Sequence, residues 1–215
     1  MTDQILVGKT CLVTGGAGGL GKAIATKYLQ AGANMVICDV NEERLQQTST
    51  ELSPMGPFKA IKTDITSQSE VESLFEQIGK IDVLVNSTNV RDVTKLALRN
   101  MLEQEKPEGR IINIVSVAGK AGGAADTAAF YGDKGIRCNA LMMGGMQTNI
   151  SDAMASSFNM EGMKRATAVI QALKIPLCEL EEATEFSLHL AGRKGFGIVN
   201  GTCIAADNGW TAMTG

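Results

Sequence analysis

The sequence predicts an α/β fold, one doubly wound parallel sheet held between two layers of helices. Three observations carry that reading. Short runs rich in Val, Ile and Leu, without polar alternation, are separated by amphipathic stretches with helical spacing, the signature of strands buried on both faces. A glycine-rich segment, Thr14-Gly15-Gly16-Ala17-Gly18-Gly19-Leu20-Gly21, lies between the first such run and the first helix. The 215 residues contain no repeat, low-complexity tract or Pro/Ser linker, and this length suits a single α/β domain spanning 1–215.

The elements follow in order. Thr10 to Val13 is a first strand, and Leu20, Ile24, Tyr28 and Ala31 line one face of a first helix that Gly32 stops. Met35 to Cys38 is a second strand, 42–52 a charged surface helix, and Pro54, Gly56 and Pro57 break the chain before a third strand, Phe58 to Ile61. Ser67 and Glu70 have the spacing of a capping box ahead of Val71, Leu74, Phe75 and Ile78. Val83 to Val85 is a fourth strand, 93–104 a helix, Ile111 to Val115 a fifth strand and Ile136 to Leu141 a sixth. Helices near 160–174 and 179–191 precede a last strand, Ile198 to Ala205.

Composition excludes several function classes. With a formal net charge of −3 and scattered Lys and Arg, the chain carries no footprint for nucleic acid or an anionic membrane. No apolar run approaches a membrane span, and the start lacks the basic and apolar regions of a leader, so the expected location is cytoplasmic. Five cysteines form an odd, widely spaced set without a CxxC pair, which argues against disulfides and against a metal site. The one histidine, His189, reads as an ordinary helix residue. The methionines at 142, 143, 146, 154, 160 and 163 suit either an adaptable apolar pocket or plain packing.

The glycine segment is the strongest chemical signal. A strand leading through glycines into a helix N-terminus offers free N–H groups and the positive end of the helix dipole to a pyrophosphate. Asp39, 18 residues beyond Gly21, ends the second strand where an acid can accept hydrogen bonds from both ribose hydroxyls. It would repel a 2′-phosphate, so NAD is favoured over NADP. The plainer reading of Asp39 is a cap for the helix that follows. Gly16-xxxx-Gly21-Lys22 also approaches a nucleoside-triphosphate loop, but Ala23 stands where Ser or Thr must ligate magnesium, and no phosphotransferase is expected.

The pattern Thr14-Gly15-xxx-Gly19-x-Gly21 resembles the short-chain dehydrogenase/reductase family. The resemblance continues through Asp64-Ile65, Val83 to Asn86, Ile111 to Gly119 with Ser116, Gly135 to Ala140, Gly144 to Thr148, and Asn200 through Trp210. It implies a Rossmann-type fold, a nicotinamide cofactor and hydride transfer with a small secondary alcohol or ketone, in a family where homo-oligomers are usual. It assigns cofactor contacts to Thr14, Gly15, Gly19, Leu20, Gly21, Asp39, Asp64, Ile65, Asn86 and Thr148, and carbonyl orientation to Ser116.

The departures fall in the middle of the chain. The family's proton chemistry rests on Tyr-xxx-Lys on the helix after the fifth strand. Here only 19 residues separate Ser116 from Ile136. The candidates Tyr131 and Lys134 are spaced i, i+3, with Gly132-Asp133 breaking any helix between them. Phe130 and Lys134 keep the i, i+4 spacing but lack a phenol. The segment 127–136 resembles the family's entry into the sixth strand, so one reading is that the catalytic helix is deleted; the other is that Tyr131 and Lys134 form a rebuilt pair. Asn86-Ser87-Thr88-Asn89 departs from Asn-Asn-Ala-Gly, and a second shortening follows the fourth strand. Met143 replaces a proline before Gly144, an expected loosening of that loop. Both shortenings remove cover from the sheet, so exposed apolar strand surface and an impaired, binding-only remnant are the alternative expectation.

Overall fold

The computed structural model describes residues 4–87, 91–116, 123–148, 160–192 and 194–214. Seven parallel strands form one sheet in the order β3-β2-β1-β4-β5-β6-β7. The strands are β1 Thr10–Thr14, β2 Asn34–Asp39, β3 Phe58–Lys62, β4 Val83–Asn86, β5 Gly109–Ser116, β6 Ile136–Met143 and β7 Cys203–Ala206. The helices are α1 Gly19–Gln30, α2 Glu42–Leu52, α3 Gln68–Ile78, α4 Arg91–Leu102, α5 Gly123–Tyr131, α6 Met160–Leu173, α7 Leu180–Gly192 and α8 Trp210–Thr214. Thus the doubly wound expectation holds.

Central strands lacking polar alternation are buried on both faces because each face is roofed by helices. Val13, Val85 and Ile112 pack under α1 and α7, whereas Leu12, Leu84 and Ile111 pack under α3 and α4. The first layer is tied by a buried polar contact: the Tyr28 hydroxyl of α1 lies 2.8 Å from Ser187 Oγ and donates to Ser187 O at 3.1 Å. Burial pushes that phenol's pKa well up. Tyr28→Phe should remove the hydroxyl's bonds to Ser187 and cost about 0.5–1.5 kcal/mol, a fall in melting temperature of about 1–6 °C, readable by circular dichroism.

Cover thins toward one edge. β7 exposes Cys203 and Ala205, and Val115 of β5 and Met142 of β6 are only half-buried. Phe130 on α5 is 73% and Ile198 92% exposed. Of these, Val115, Met142 and Phe130 adjoin the shortening between Ser116 and Ile136, whereas Cys203, Ala205 and Ile198 lie outside both shortenings.

Beyond shifts of one or two residues at element ends, three features differ from the sequence reading. The last strand begins at Cys203 rather than Ile198: Phe196–Ile198 is a single 3-10 turn, Gly201 takes a φ of +75°, and Asn200 Oδ1 accepts from Cys138 N instead of extending a ladder. Tyr131 does sit on a helix, because the alanine-rich run before it favours one, and α5 closes through a 3-10 turn at Gly132–Lys134 with Gly135 in the left-handed region. The capping box is half formed: Ser67 Oγ accepts from Glu70 N at 3.4 Å, while Glu70 Oε2 accepts from Asp64 N at 2.8 Å.

Candidate functional site

In a doubly wound sheet, ligands bind beyond the carboxyl ends of the strands, at the point where connections diverge to the two sides. Here that point lies between β1, which leads outward to β2 and β3, and β4, which leads to β5 and β6. Thr14, Asp39, Asn86 and Ser116 are the final residues of β1, β2, β4 and β5, and Asp64-Ile65 follows β3 closely. The register pairs Thr14 with Asn86 and Ser116 with Met143, so these residues share one edge.

The glycine segment wraps that edge tightly. Gly15 and Gly19 hold φ of +63° and +53°, backbone that L side chains rarely adopt. A Cβ on Gly21 would run into the carbonyl of Gly15, and one on Gly16 would lie 2.6 Å from Ile37 Cβ. Hence the first turn of α1 sits directly on the loop. Its N-cap, Gly18, supplies no side-chain acceptor, and no acid occupies the first turn. The amide donors and the dipole of that helix end therefore stay available to an anion.

Asp39 turns toward the same loop. Its Oδ2 accepts from Ala17 N at 3.2 Å and its Oδ1 from Asn41 N at 3.0 Å. The cap of α2 is instead Asn41, whose Oδ1 accepts from Arg44 N at 2.9 Å. A carboxylate has further lone pairs beyond these two bonds, so Asp39 can still accept from hydroxyl groups. Asp64 is held below the usual carboxylate range by Thr66, whose hydroxyl and amide donate to Oδ1 at 2.7 and 2.9 Å. Ile65 packs half-buried beside it.

Asn86 is wholly buried, and its Nδ2 donates to Thr94 Oγ1 and to Asn113 Oδ1, both at 2.9 Å. Its Oδ1 has no partner among the described residues, an unsatisfied acceptor at the divergence point. Thr148 is half-buried in the loop after β6. That loop is pinned rather than loose: Gly144 N donates to Ala206 O at 3.1 Å, and Gly145 O accepts from Cys178 N at 2.8 Å. A cavity of about 260 Å³ lies beneath it, walled by Met143, Cys178, Glu182, Ala183, Phe186 and Asp207. Of the methionine set, Met143 lines this cavity; Met154 lies outside the described residues, as do Thr88, Asn89 and the 117–119 part of the fifth-strand motif.

Ser116 and the pair Tyr131/Lys134 are not brought together. Ser116 lies seven residues along β5 from the Gly109–Ile136 level, roughly 23 Å at strand rise. The turn carrying Lys134 enters β6 at that lower level, with Gly132 O accepting from Arg137 Nη1 at 2.8 Å. Lys134 Nζ sits over the Tyr131 ring, 5.4 Å from its centroid, not at its hydroxyl. The chain has two tyrosines, and the other, Tyr28, is sealed against Ser187. His189 is stacked on Phe196 near the last turn of α7, with centroids 5.5 Å apart. Sequence reasoning missed the polar chain Thr94–Asn86–Asn113, because hydrogen-bond partners across three elements leave no local pattern.

The glycine cradle, the uncapped helix end and the carboxylate at the end of β2 define a dinucleotide-binding class of α/β protein. The short chain dehydrogenase profile matches residues 9–95. A short chain dehydrogenase/reductase of Gibberella zeae, dpfgG, is 41% identical over 260 positions, covering 98% of this chain and 96% of the relative. A 3beta-hydroxysteroid dehydrogenase 2 of Eggerthella lenta is 29% identical, covering 98% and 97%. A Pseudomonas aeruginosa RhlG/NADP active-site complex superposes with a TM-score of 0.79 at 23% identity over 98% of this chain and 99% of that one. The chain belongs to the short-chain dehydrogenase/reductase family. The 260 aligned positions exceed its 215 residues, so at least 45 residues of the Gibberella zeae relative have no counterpart here.

Among the described residues, no helix is long and apolar enough to cross a membrane and no group of His, Cys, Asp or Glu could hold a metal ion.

Proposed function

We propose that this protein binds NAD at the carboxyl edge of the sheet and is, by lineage, an oxidoreductase acting between nicotinamide and a secondary alcohol or ketone. The observation that carries the reading is the uncapped N-terminus of α1 beside the Asp39 carboxylate, joined by the 3.2 Å bond from Ala17 N. The amides of 18–21 would hold the pyrophosphate, Asp39 the adenosine ribose hydroxyls, Asp64 and Ile65 the adenine, Thr14 and Asn86 the middle of the cofactor, and Thr148 the carboxamide. Leu20 backs the glycine turn from inside the core. Bound nicotinamide supplies a carbon that accepts or gives hydride; Ser116 would orient a carbonyl by donating its hydroxyl proton in a hydrogen bond. A 2′-phosphate would meet the Asp39 charge, which favours NAD over NADP.

A titration of NADH fluorescence tests this. Saturable binding should weaken about 10–100-fold in Asp39→Ala, the loss of a charged hydrogen-bond acceptor, and the preference over NADPH should narrow with it. A stronger response to ATP with magnesium would overturn the reading.

A second reading is supported by the separation of Ser116 from both phenols. On it the chain binds the cofactor and orients a carbonyl but has no general acid or base, and acts at most as a binding protein. Tyr131→Phe decides between Tyr131 as a rebuilt acid and Tyr131 as a packing residue: a fall in turnover of 10²-fold or more would establish the former.

A further inference from the structure

We propose that Arg110 and Arg137 form a phosphate-binding site at the amino-terminal edge of the sheet, the end away from the glycine loop. The two residues are register partners on β5 and β6, so their stems leave neighbouring strands, about 4.8 Å apart, on the same face. Both are half-buried. Arg137 is anchored: its Nε donates to Gly197 O at 2.6 Å and its Nη1 to Gly132 O at 2.8 Å. Arg110 Nη1 donates to Gly109 O at 3.1 Å. Its other terminal nitrogen makes a long 3.4 Å contact to Glu108 Oε1, and the Glu108 side chain is 60% exposed.

Two guanidinium groups thus stand side by side with one loosely held, peripheral carboxylate between them and neutrality. Burial, and to a lesser extent the Arg137 charge, pulls the pKa of Arg110 down from its ordinary value. A dianionic oxyanion would convert that repulsion into attraction, taking the donors that remain: Arg137 Nη2, since Nε and Nη1 are given to Gly197, Gly132 and Ile136, and Arg110 Nη2 once Glu108 moves. A Cβ built on Gly197 would find Arg110 Nη2 at 4.0 Å and nothing nearer, so the Gly197 turn that anchors Arg137 also lies beside the Arg110 guanidinium without crowding it. Exposed Lys194 lies on the same connection, three residues before Gly197. The ligand class is a phosphate group, free or as a phosphomonoester. Glu108 is then the internal competitor that must swing aside, which its exposure permits. The site shares no residue with the carboxyl edge and does not depend on the dinucleotide reading.

The test uses the whole chain. Thermal unfolding is followed against inorganic phosphate, with chloride at matched ionic strength and acetate as controls, alongside phosphorus NMR line broadening. Phosphate should stabilise saturably and chloride should not. Glu108→Gln should tighten phosphate binding about two- to fivefold, the effect of removing an exposed ionic competitor. Arg110→Gln should weaken it at least tenfold, about 1.4 kcal/mol. Arg137→Lys keeps one donor for the turns while losing Nη2, and should weaken it comparably. NADH titration of each variant checks that the fold survives. Equal shifts from phosphate and chloride would overturn the site, as would undiminished binding in Arg110→Gln. Acetate matching phosphate would overturn the assigned ligand class.

Discussion

Gly21→Ala should reduce NADH affinity roughly 100-fold, about 2.7 kcal/mol, and lower the melting temperature as well. The position has no spare volume: a methyl group there would overlap the carbonyl oxygen and carbon of Gly15 and crowd Gly16 Cα. These are backbone atoms, so no side chain can rotate out of the way. Overpacking a rigid site costs about 1–3 kcal/mol, and the relief available is to lift α1 off the loop. That movement carries the helix amides and the dipole away from the anion they would hold, and the dipole effect fades within the first turn. It also strains the Ala17 N to Asp39 contact, since Ala17 rides on the same loop. Gly56→Ala is the control. Gly56 has extended backbone and its built Cβ meets Leu29 Cδ2 at 3.4 Å, ordinary contact, so stability and NADH binding should both hold. Isothermal calorimetry with NADH, paired with thermal melts, separates the two effects. A Gly21→Ala protein that binds NADH normally would mean that the loop does not face the phosphates.

The fold was legible because its signals are local and redundant. Buried strands such as Leu12-Val13 and Leu84-Val85 must be continuously apolar, helices such as α3 repeat their apolar residues every three or four positions, and Gly32 stops a helix with positive φ. The cofactor edge was legible for a related reason. A phosphate site on a helix end needs glycines at fixed offsets, and the acid at the end of β2 is fixed by strand length. Three things were not legible. The start of β7 depends on Asn200 reaching across to Cys138 N, a contact 62 residues apart. The helix ending at Tyr131 was masked by the glycines immediately after it, which end α5 but do not prevent it. Above all, sequence spacing put Tyr131 15 residues from Ser116, which says nothing of the level each takes along the sheet. Only the register of β5 against β6 separates them.

Adding the family pattern's tyrosine and lysine beside Ser116 should raise turnover far more than any point substitution in this chain. Positioned general acid–base catalysis contributes about 10²–10⁴-fold, and neither phenol of this protein is at Ser116: Tyr28 is sealed between α1 and α7, and Tyr131 ends α5 just before the turn into β6, with Lys134 over its ring. A chimera given a Tyr-xxx-Lys helix of the family pattern after Ser116 places a phenol and an ammonium at that edge. NADH oxidation against a panel of neutral ketones should then rise by about 10²–10⁴-fold over the natural chain. In the natural chain Tyr131→Phe should leave both NADH affinity and any residual turnover unchanged. The chimera should also be the more stable protein, because a helix after Ser116 can pack on Val115 and Met142, which are only half-buried. Each 100 Å² of apolar area so covered contributes about 2.5 kcal/mol as an upper estimate. If the natural chain already reduces ketones at the chimera's rate, and loses that rate in Tyr131→Phe, then Tyr131 reaches the substrate by a rearrangement of α5 and the separation seen along β5 is not the catalytic state.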